Sequence, residues 1–321
     1  LTSRRAISEL VEEGVLYRRQ GKGTFVCENE PASAPAASGC TACVFRKLRP
    51  RSEQDNFFLE IVEAFEDEIS DGDGYMAYKG MACLNLSCEA MGLSAENELL
   101  TVAQRMLKTD IIGLVLDERF PDRLIQELMP SDKPIVVVNR KSAVDGVRCV
   151  APDMNAFALE ILTYLTELGH RRLLYVYDVL KPEQLEMLEA FQREIDHFGI
   201  PADDFLALPC HETDFSGKSY RLTTEQGLKA HRPTAVVAGF DWVASNVYAQ
   251  ATSMGLTIPG DLSVISTGDF AMAADLDPPL TTLRIDTDAL GRAAARLVRQ
   301  PQHLVTIPPK LMERASCAHV A

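Results

Sequence analysis

From residue 41 onward, short apolar runs alternate with stretches whose apolar residues recur at helical spacing, and few folds accommodate that alternation. TACVF (41–45) is followed by Phe58, Ile61, Val62, Phe65 and Ile69, then by IIGLVL (111–116), a helical pattern near Leu124, and PIVVV (134–138). A second series runs RRLLYVY (171–177), a helix over Glu183–Phe198, FLALP (205–209), a helix over Gly217–Lys229, TAVVAG (234–239), a helix over Asp241–Met254, and DLSVIS (261–266). A strand that reaches the next strand through a helix pairs with it in parallel, by a right-handed crossover. Two such series predict an α/β protein of two tandem Rossmann-like lobes with parallel sheets. Open parallel sheets bind ligands beyond the carboxyl ends of their strands, so the expected site is a cleft between the lobes.

Residues 1–27 follow a different pattern. Ala6, Ile7, Leu10 and Val11 give one apolar helical face, which Gly14 ends. A strand over Val15–Arg18, a turn at Gln20-Gly21-Lys22-Gly23 and a strand over Thr24–Val26 read as a β-hairpin. Residues 28–40 (ENEPASAPAASGC) are small or polar with two prolines, and read as a linker. It spans at most about 45 Å when extended and about 20 Å as a flexible coil. Five basic side chains (Arg4, Arg5, Arg18, Arg19, Lys22) against three acidic ones (Glu9, Glu12, Glu13) give this segment +2, so the net −14 of the chain leaves −16 on the remainder. A polyanion such as DNA would be repelled everywhere except at the N-terminus.

No run approaches the ~18 apolar residues of a membrane helix, and no signal peptide opens the sequence, so a cytoplasmic protein without membrane contact is expected. The eight cysteines are scattered, as reduced thiols would be. Cys40 and Cys43 form a lone CxxC, and Cys83 with Cys88 makes a poor second pair, so neither metal nor cofactor is expected. His170, in GHRR after a helix, reads as structural. HExxH, GxSxG, Walker A and GxGxxG are absent from the sequence, so no motif proposes an enzyme reaction.

The stretch RRAISELVEEGVLYRRQGKGTFV resembles the end of the winged helix-turn-helix domain of the GntR family. The resemblance implies that Arg4 and Arg5 lie on a recognition helix and that Arg18, Arg19, Gln20, Gly21, Lys22, Gly23 and Thr24 form a wing that clamps operator DNA. Leu1 then falls inside the recognition helix, so the expectation is that these residues alone do not complete the head. From Thr41 to Ser316, TDIIGLVL, KPIVVVNR, GHRRLLYVY, PTAVVAGFDWVA, GLTIPGDLSVIS, DPPLTTLRIDTDALGRAAARL and PPKLMERAS resemble, in order, the recurrent blocks of the LacI-family effector domain, a type I periplasmic-binding-protein-like fold.

That resemblance implies a ligand cleft lined by Phe57 or Phe58, Asn139, Arg140, Asp153, Asp178, Phe240, Asp241 and Asp269. The two phenylalanines are either stacking residues or core, and Asp153 and Asp241 either contacts or helix caps. Three departures stand out: Phe240 where the family usually has Asn, Gly268 where it usually has the first of two Asp residues, and no Arg near Met187. They leave fewer partners for a hydroxyl-rich ligand. The expected division is 1–27 (partial head), 28–40 (linker) and 41–321 (effector domain), with lobe 1 about 41–149 and 279–301 and lobe 2 about 150–278 and 302–321. The expected function is a homodimeric, ligand-responsive transcription regulator sensing a sugar or sugar derivative. The alternatives are a small-molecule-binding protein without DNA-binding competence and a dimerisation module with a closed cleft.

Overall fold

The computed structural model describes residues 16–19, 23–26, 39–46, 53–70, 75–81, 93–210 and 217–320. The chain divides into two compact units, Leu1–Ser38 and Gly39–Ala321. In the first, β1 (Leu16–Arg19) pairs antiparallel with β2 (Gly23–Val26), Arg18 opposite Thr24 and Arg19 opposite Gly23. This is the hairpin expected from the glycine-rich turn. The expected helix over residues 6–13 and the turn residues 20–22 lie outside the described residues.

The second unit holds two six-stranded sheets. The chain first lays down β3 (Cys40–Arg46), β4 (Tyr75–Met81), β5 (Gly113–Leu116), β6 (Ile135–Val138) and β7 (Arg148–Pro152), linked by α1 (Glu53–Ser70), α2 (Leu93–Leu107) and α3 (Asp122–Leu128). Every residue of β5 and β6 is buried, as expected of parallel strands covered on both faces. Because the first strand starts at Cys40, the expected linker is one residue too long. Cys40 and Cys43 are both buried in β3, but an odd spacing along a strand sends their side chains to opposite faces.

After β7 the chain crosses to the second lobe. Helix α4 (Met154–Glu167) packs on α5 (Pro182–Glu194), and β8 (Leu173–Asp178), β9 (Phe205–Cys210), β10 (Ala235–Ala238), β11 (Ser263–Gly268) and β12 (Thr281–Arg284) build the second sheet with α6 (Lys218–His231), α7 (Asp241–Ser253) and α8 (Ala271–Asp275). Helix α9 (Thr287–Arg299) returns to the first lobe and leads into β13 (Leu304–Ile307), and β14 (Lys310–Met312) ends in the second. The sheet orders are β13-β7-β6-β5-β3-β4, all parallel, and β14-β12-β11-β10-β8-β9, parallel except for β14. Residues 281–284 therefore belong to the second sheet and 304–307 to the first, which corrects the lobe boundaries expected from sequence. The register decides it, since Thr281 pairs with Ile265 of β11 and Leu304 with Cys149 of β7.

Three connections thus join the lobes, and hydrogen bonds lace them together. Asp153 N–H donates to Ile307 O (2.8 Å) and Thr306 Oγ1 to Asp153 Oδ2 (3.3 Å), while Arg284 pairs with Lys310 across β12 and β14. The lobe 1 end of this assembly rests on the contact of α9 with α1. Leu290, Ala294, Leu297 and Val298 are buried with Ile61 and Phe65. Arg296 and Arg292 reach Glu68 at 2.7 and 3.5 Å, surface pairs that add little on their own.

The contact is close because Gly291 has no side chain. A Cβ there would meet Ile61 O at 2.3 Å and Ala64 Cβ at 2.8 Å. Gly291→Ala is expected to destabilise the protein by about 1–3 kcal/mol, the usual cost of overpacking. Urea denaturation checks this, and an unchanged midpoint would show that the helices separate freely.

Candidate functional site

The carboxyl ends of both sheets face the space between the lobes, and their loops hold the residues singled out from sequence. On the first lobe, β6 is followed directly by Asn139, whose φ of 68° is left-handed. Asn tolerates that conformation better than other side-chain-bearing residues. Its Nδ2 donates to Glu118 Oε2 at the end of β5. A carboxylate cannot donate in return, so the amide orientation is fixed, and buried Oδ1 is left without a partner.

Arg140 is engaged within the first lobe. Its guanidinium donates to Glu118 O (2.7 Å) and Phe120 O (2.6 Å) and pairs with Asp122 at 2.6 Å. Although burial pushes the Asp122 carboxyl up, the Ala143 N–H and the Arg140 guanidinium outweigh it and hold this acid below its ordinary range. Arg140 is a loop brace. Asp153 is the N-cap of α4, accepting from Ala156 N–H at 3.1 Å. Of the two readings left open by sequence, the capping one describes its geometry.

On the second lobe, Asp178 closes β8 and is 7% exposed. Its Oδ1 accepts from Leu180 N–H (2.9 Å) and its Oδ2 from Tyr220 Oη (2.8 Å). Its own N–H donates to Gln184 Oε1 (2.7 Å). Sequence reasoning missed Gln184. Only 1% exposed, it extends its amide under Gly239 at the end of β10, where a Cβ would meet Oε1 at 2.1 Å. Because Oε1 must face the Asp178 N–H, Nε2 is a buried donor without a partner. Orphans such as Asn139 Oδ1 and Gln184 Nε2 each cost about 1–3 kcal/mol when nothing satisfies them.

Asp241 is the first residue of α7; the N-cap position belongs to Phe240, so the expected capping role does not describe Asp241. With no exposure, its carboxylate reaches sideways to β11, β12 and the next loop. Oδ1 accepts from Ser266 Oγ and from Thr282 Oγ1 (2.8 Å), and Oδ2 from Phe270 N–H (2.6 Å). Burial dominates these donors and raises the carboxyl to about 6. Asp269, left-handed at φ 60°, is clamped between Arg284 Nε (2.6 Å) and Arg314 Nη2 (2.5 Å). All four carboxylates expected to touch a ligand are thus engaged within the protein.

The rings divide. Phe58 is core at 3% exposure, whereas half-buried Phe57 lies 5.1 Å from it and 6.0 Å, centroid to centroid, from Phe270 of the other lobe. Half-buried Phe240 packs against the second lobe's core. Lys141 and Glu186 add a salt bridge between the lobes. Burial raises the Glu183 carboxyl at the start of α5; Lys181 opposes this, and Glu118 of the first lobe adds to it. A depression of about 450 Å³ lined by Lys141, Asp145, Gly146, Cys149 and His303 belongs to the first lobe alone. Of the expected DNA contacts, Arg18, Arg19, Gly23 and Thr24 fall in the β1–β2 hairpin, while Arg4, Arg5, Gln20, Gly21 and Lys22 lie outside the described residues. His170 is buried, bonded to Thr234 Oγ1 (2.9 Å) and Ala318 O (3.0 Å).

Residues 162–317 match the periplasmic binding protein-like domain family. The chain superposes on a LacI-family regulator from Enterococcus faecium solved with bound ribose, at TM-score 0.66 and 22% identity, covering 88% of this chain and 100% of that one. It also superposes on the regulator CCPA from Weissella paramesenteroides with bound glucose, at TM-score 0.69 and 16% identity, covering 87% and 99%. The fold is the type I periplasmic-binding-protein-like fold. In sequence, the chain is 26% identical over 311 residues to the arabinose metabolism transcriptional repressor of Geobacillus stearothermophilus, covering 93% of this chain and 80% of the repressor. It is 28% identical over 250 residues to the regulator MalR of Streptomyces coelicolor, covering 73% and 71%. No described helix is long and apolar enough to cross a membrane, and no group of three or more metal-ligating side chains occurs among the described residues.

Because the folded carboxyl of Asp241 titrates near 6, above the unfolded value of 3.8, its stabilising contribution is complete below the unfolded value and is lost as pH rises through 6. Between pH 4 and 7 the protein should therefore lose on the order of 2–3 kcal/mol relative to Asp241→Asn. Denaturant titrations of both proteins across that range read the difference, and parallel curves would contradict it.

Proposed function

We propose that this protein is a ligand-responsive transcription regulator, binding operator DNA through its N-terminal unit and sensing a carbohydrate-related small molecule between its two lobes. The alignment with the arabinose metabolism repressor carries this reading. It covers a larger share of the chain than Gly39–Ala321 makes up, so it runs past the effector fold into the N-terminal unit. The β1–β2 hairpin supports a winged rather than a purely helical head, with Arg18 and Arg19 on one strand of the wing. A net charge of −14 concentrated outside residues 1–27 supports DNA contact at that end alone.

The mechanism follows from the linkage of the lobes. A ligand with higher affinity for one closure angle shifts the population toward it, and only that difference in affinity can be passed on to the DNA-binding units. In a two-fold dimer of a cytoplasmic regulator, a changed angle resets the spacing of two heads on a pseudo-palindromic operator.

Selection from genomic fragments should return a pseudo-palindromic site whose affinity falls steeply with salt. Replacing Arg18 and Arg19 together by Ala should reduce the salt slope by about 1–2 and weaken binding uniformly across sequences. Electrophoretic mobility shifts at graded salt measure both effects. Absent or salt-insensitive binding would leave a small-molecule-binding protein without a DNA-binding role.

A further inference from the structure

The sensing role proposed above leaves the ligand's chemistry open, and the strand ends narrow it. Asp153, Asp178, Asp241 and Asp269 have both carboxylate oxygens bonded inside the protein. Arg140, Arg284 and Arg314 are paired with protein acids. Among the described residues, the buried polar side-chain atoms at the strand ends that lack a partner are Asn139 Oδ1 on the first lobe and Gln184 Nε2 on the second. One accepts and one donates. Both amide orientations are fixed by their neighbours, Glu118 and the Asp178 N–H.

Between the lobes stand two half-buried rings. Phe270 holds its position because residue 268 is glycine at φ 124°, where a Cβ would meet the Phe270 ring at 2.9 and 3.0 Å. Phe270 N–H is fixed by Asp241, and its ring reaches Phe57 of the other lobe. A ring therefore crowds the place where a residue-268 side chain would begin. A free sugar buries many hydroxyls, each needing a partner, and offers a ring only its small C–H faces. A flat ring reverses that balance, because it buries apolar surface against aromatic edges and asks for few hydrogen bonds.

We propose that the cleft binds an uncharged glycoside carrying a planar aromatic ring, the ring packing against Phe57 and Phe270 and the polar groups meeting Asn139 Oδ1 and Gln184 Nε2. An aryl glycoside and a nucleoside both have this chemistry.

Isothermal titration of the whole chain with arbutin, adenosine and uridine, set against glucose, ribose and glucuronate, tests the assignment. At least one ring-bearing compound should bind about tenfold or more tightly than its parent sugar. A response to arbutin alone identifies the aryl glycoside class, and a response to a nucleoside alone the other. Phe270→Leu keeps apolar volume but removes the ring; it should erase most of the tenfold preference for the ring-bearing compound over its parent sugar, and Phe57→Leu should do the same. Silence of all three ring-bearing compounds, equal binding of the parent sugars, tighter binding of glucuronate, or a Leu variant that weakens sugar and glycoside alike overturns the proposal. The sensing role survives the case in which free sugars bind and the ring adds nothing, so the two failures are separable.

Discussion

Asp241 has no contact with solvent, yet its carboxylate accepts from donors on β11, β12 and the loop that carries Phe270. An unpaired carboxylate in that position would cost several kcal/mol, and charge-assisted hydrogen bonds from three sides offset most of it. Much of the second lobe's cleft geometry follows from this one group. The bond to Phe270 N–H stabilises a turn in which Gly268 and Asp269 both have positive φ. That turn points Asp269 at its two arginines and brings the Phe270 ring to Phe57. The raised carboxyl shows that the offset is incomplete. A site of this kind favours geometry over stability.

The layered α/β architecture was legible in the sequence because buried parallel strands read as unbroken apolar runs; IVVV, LLYVYD and AVVA are each buried along their whole length. The edge strand Tyr75–Met81 carried no such run. Its Tyr78 is 40% exposed, and a strand covered on one side needs no continuous apolar code. The lobe boundaries were misplaced for a related reason. Thr282 donates its hydroxyl to Asp241 while Thr281 accepts from the Arg314 N–H, and nothing in their hydrophobicity says which sheet they join.

The strand-end residues were legible in place but not in their bonding. Residues after the strands do gather at the carboxyl ends of the sheets, yet hydrogen-bond direction, which sequence does not display, assigns the roles. Asp178 and Asp269, expected at a ligand, have both carboxylate oxygens bonded within the protein, while Arg140 braces a loop. Gln184 carried no motif and sits in the first turn of an amphipathic helix. Its only sequence hint was the glycine at 239, whose missing side chain makes room for the amide. Phe58 and Phe57 were indistinguishable as neighbours until helix phase sent one into the core and left the other facing Phe270.

The lacing of the three inter-lobe connections has a mechanical consequence. Asp153 ties the first connection to the third, and the Arg284–Lys310 pairing ties the second to the third, so none of them moves independently. The first of these ties extends the β7–β13 pairing of the first lobe's sheet and the second is the β12–β14 pairing of the second lobe's, so each fastens two connections together where they meet a sheet rather than bracing one lobe against the other. The three connections therefore enter and leave the lobes as tied neighbours, one tie at each sheet.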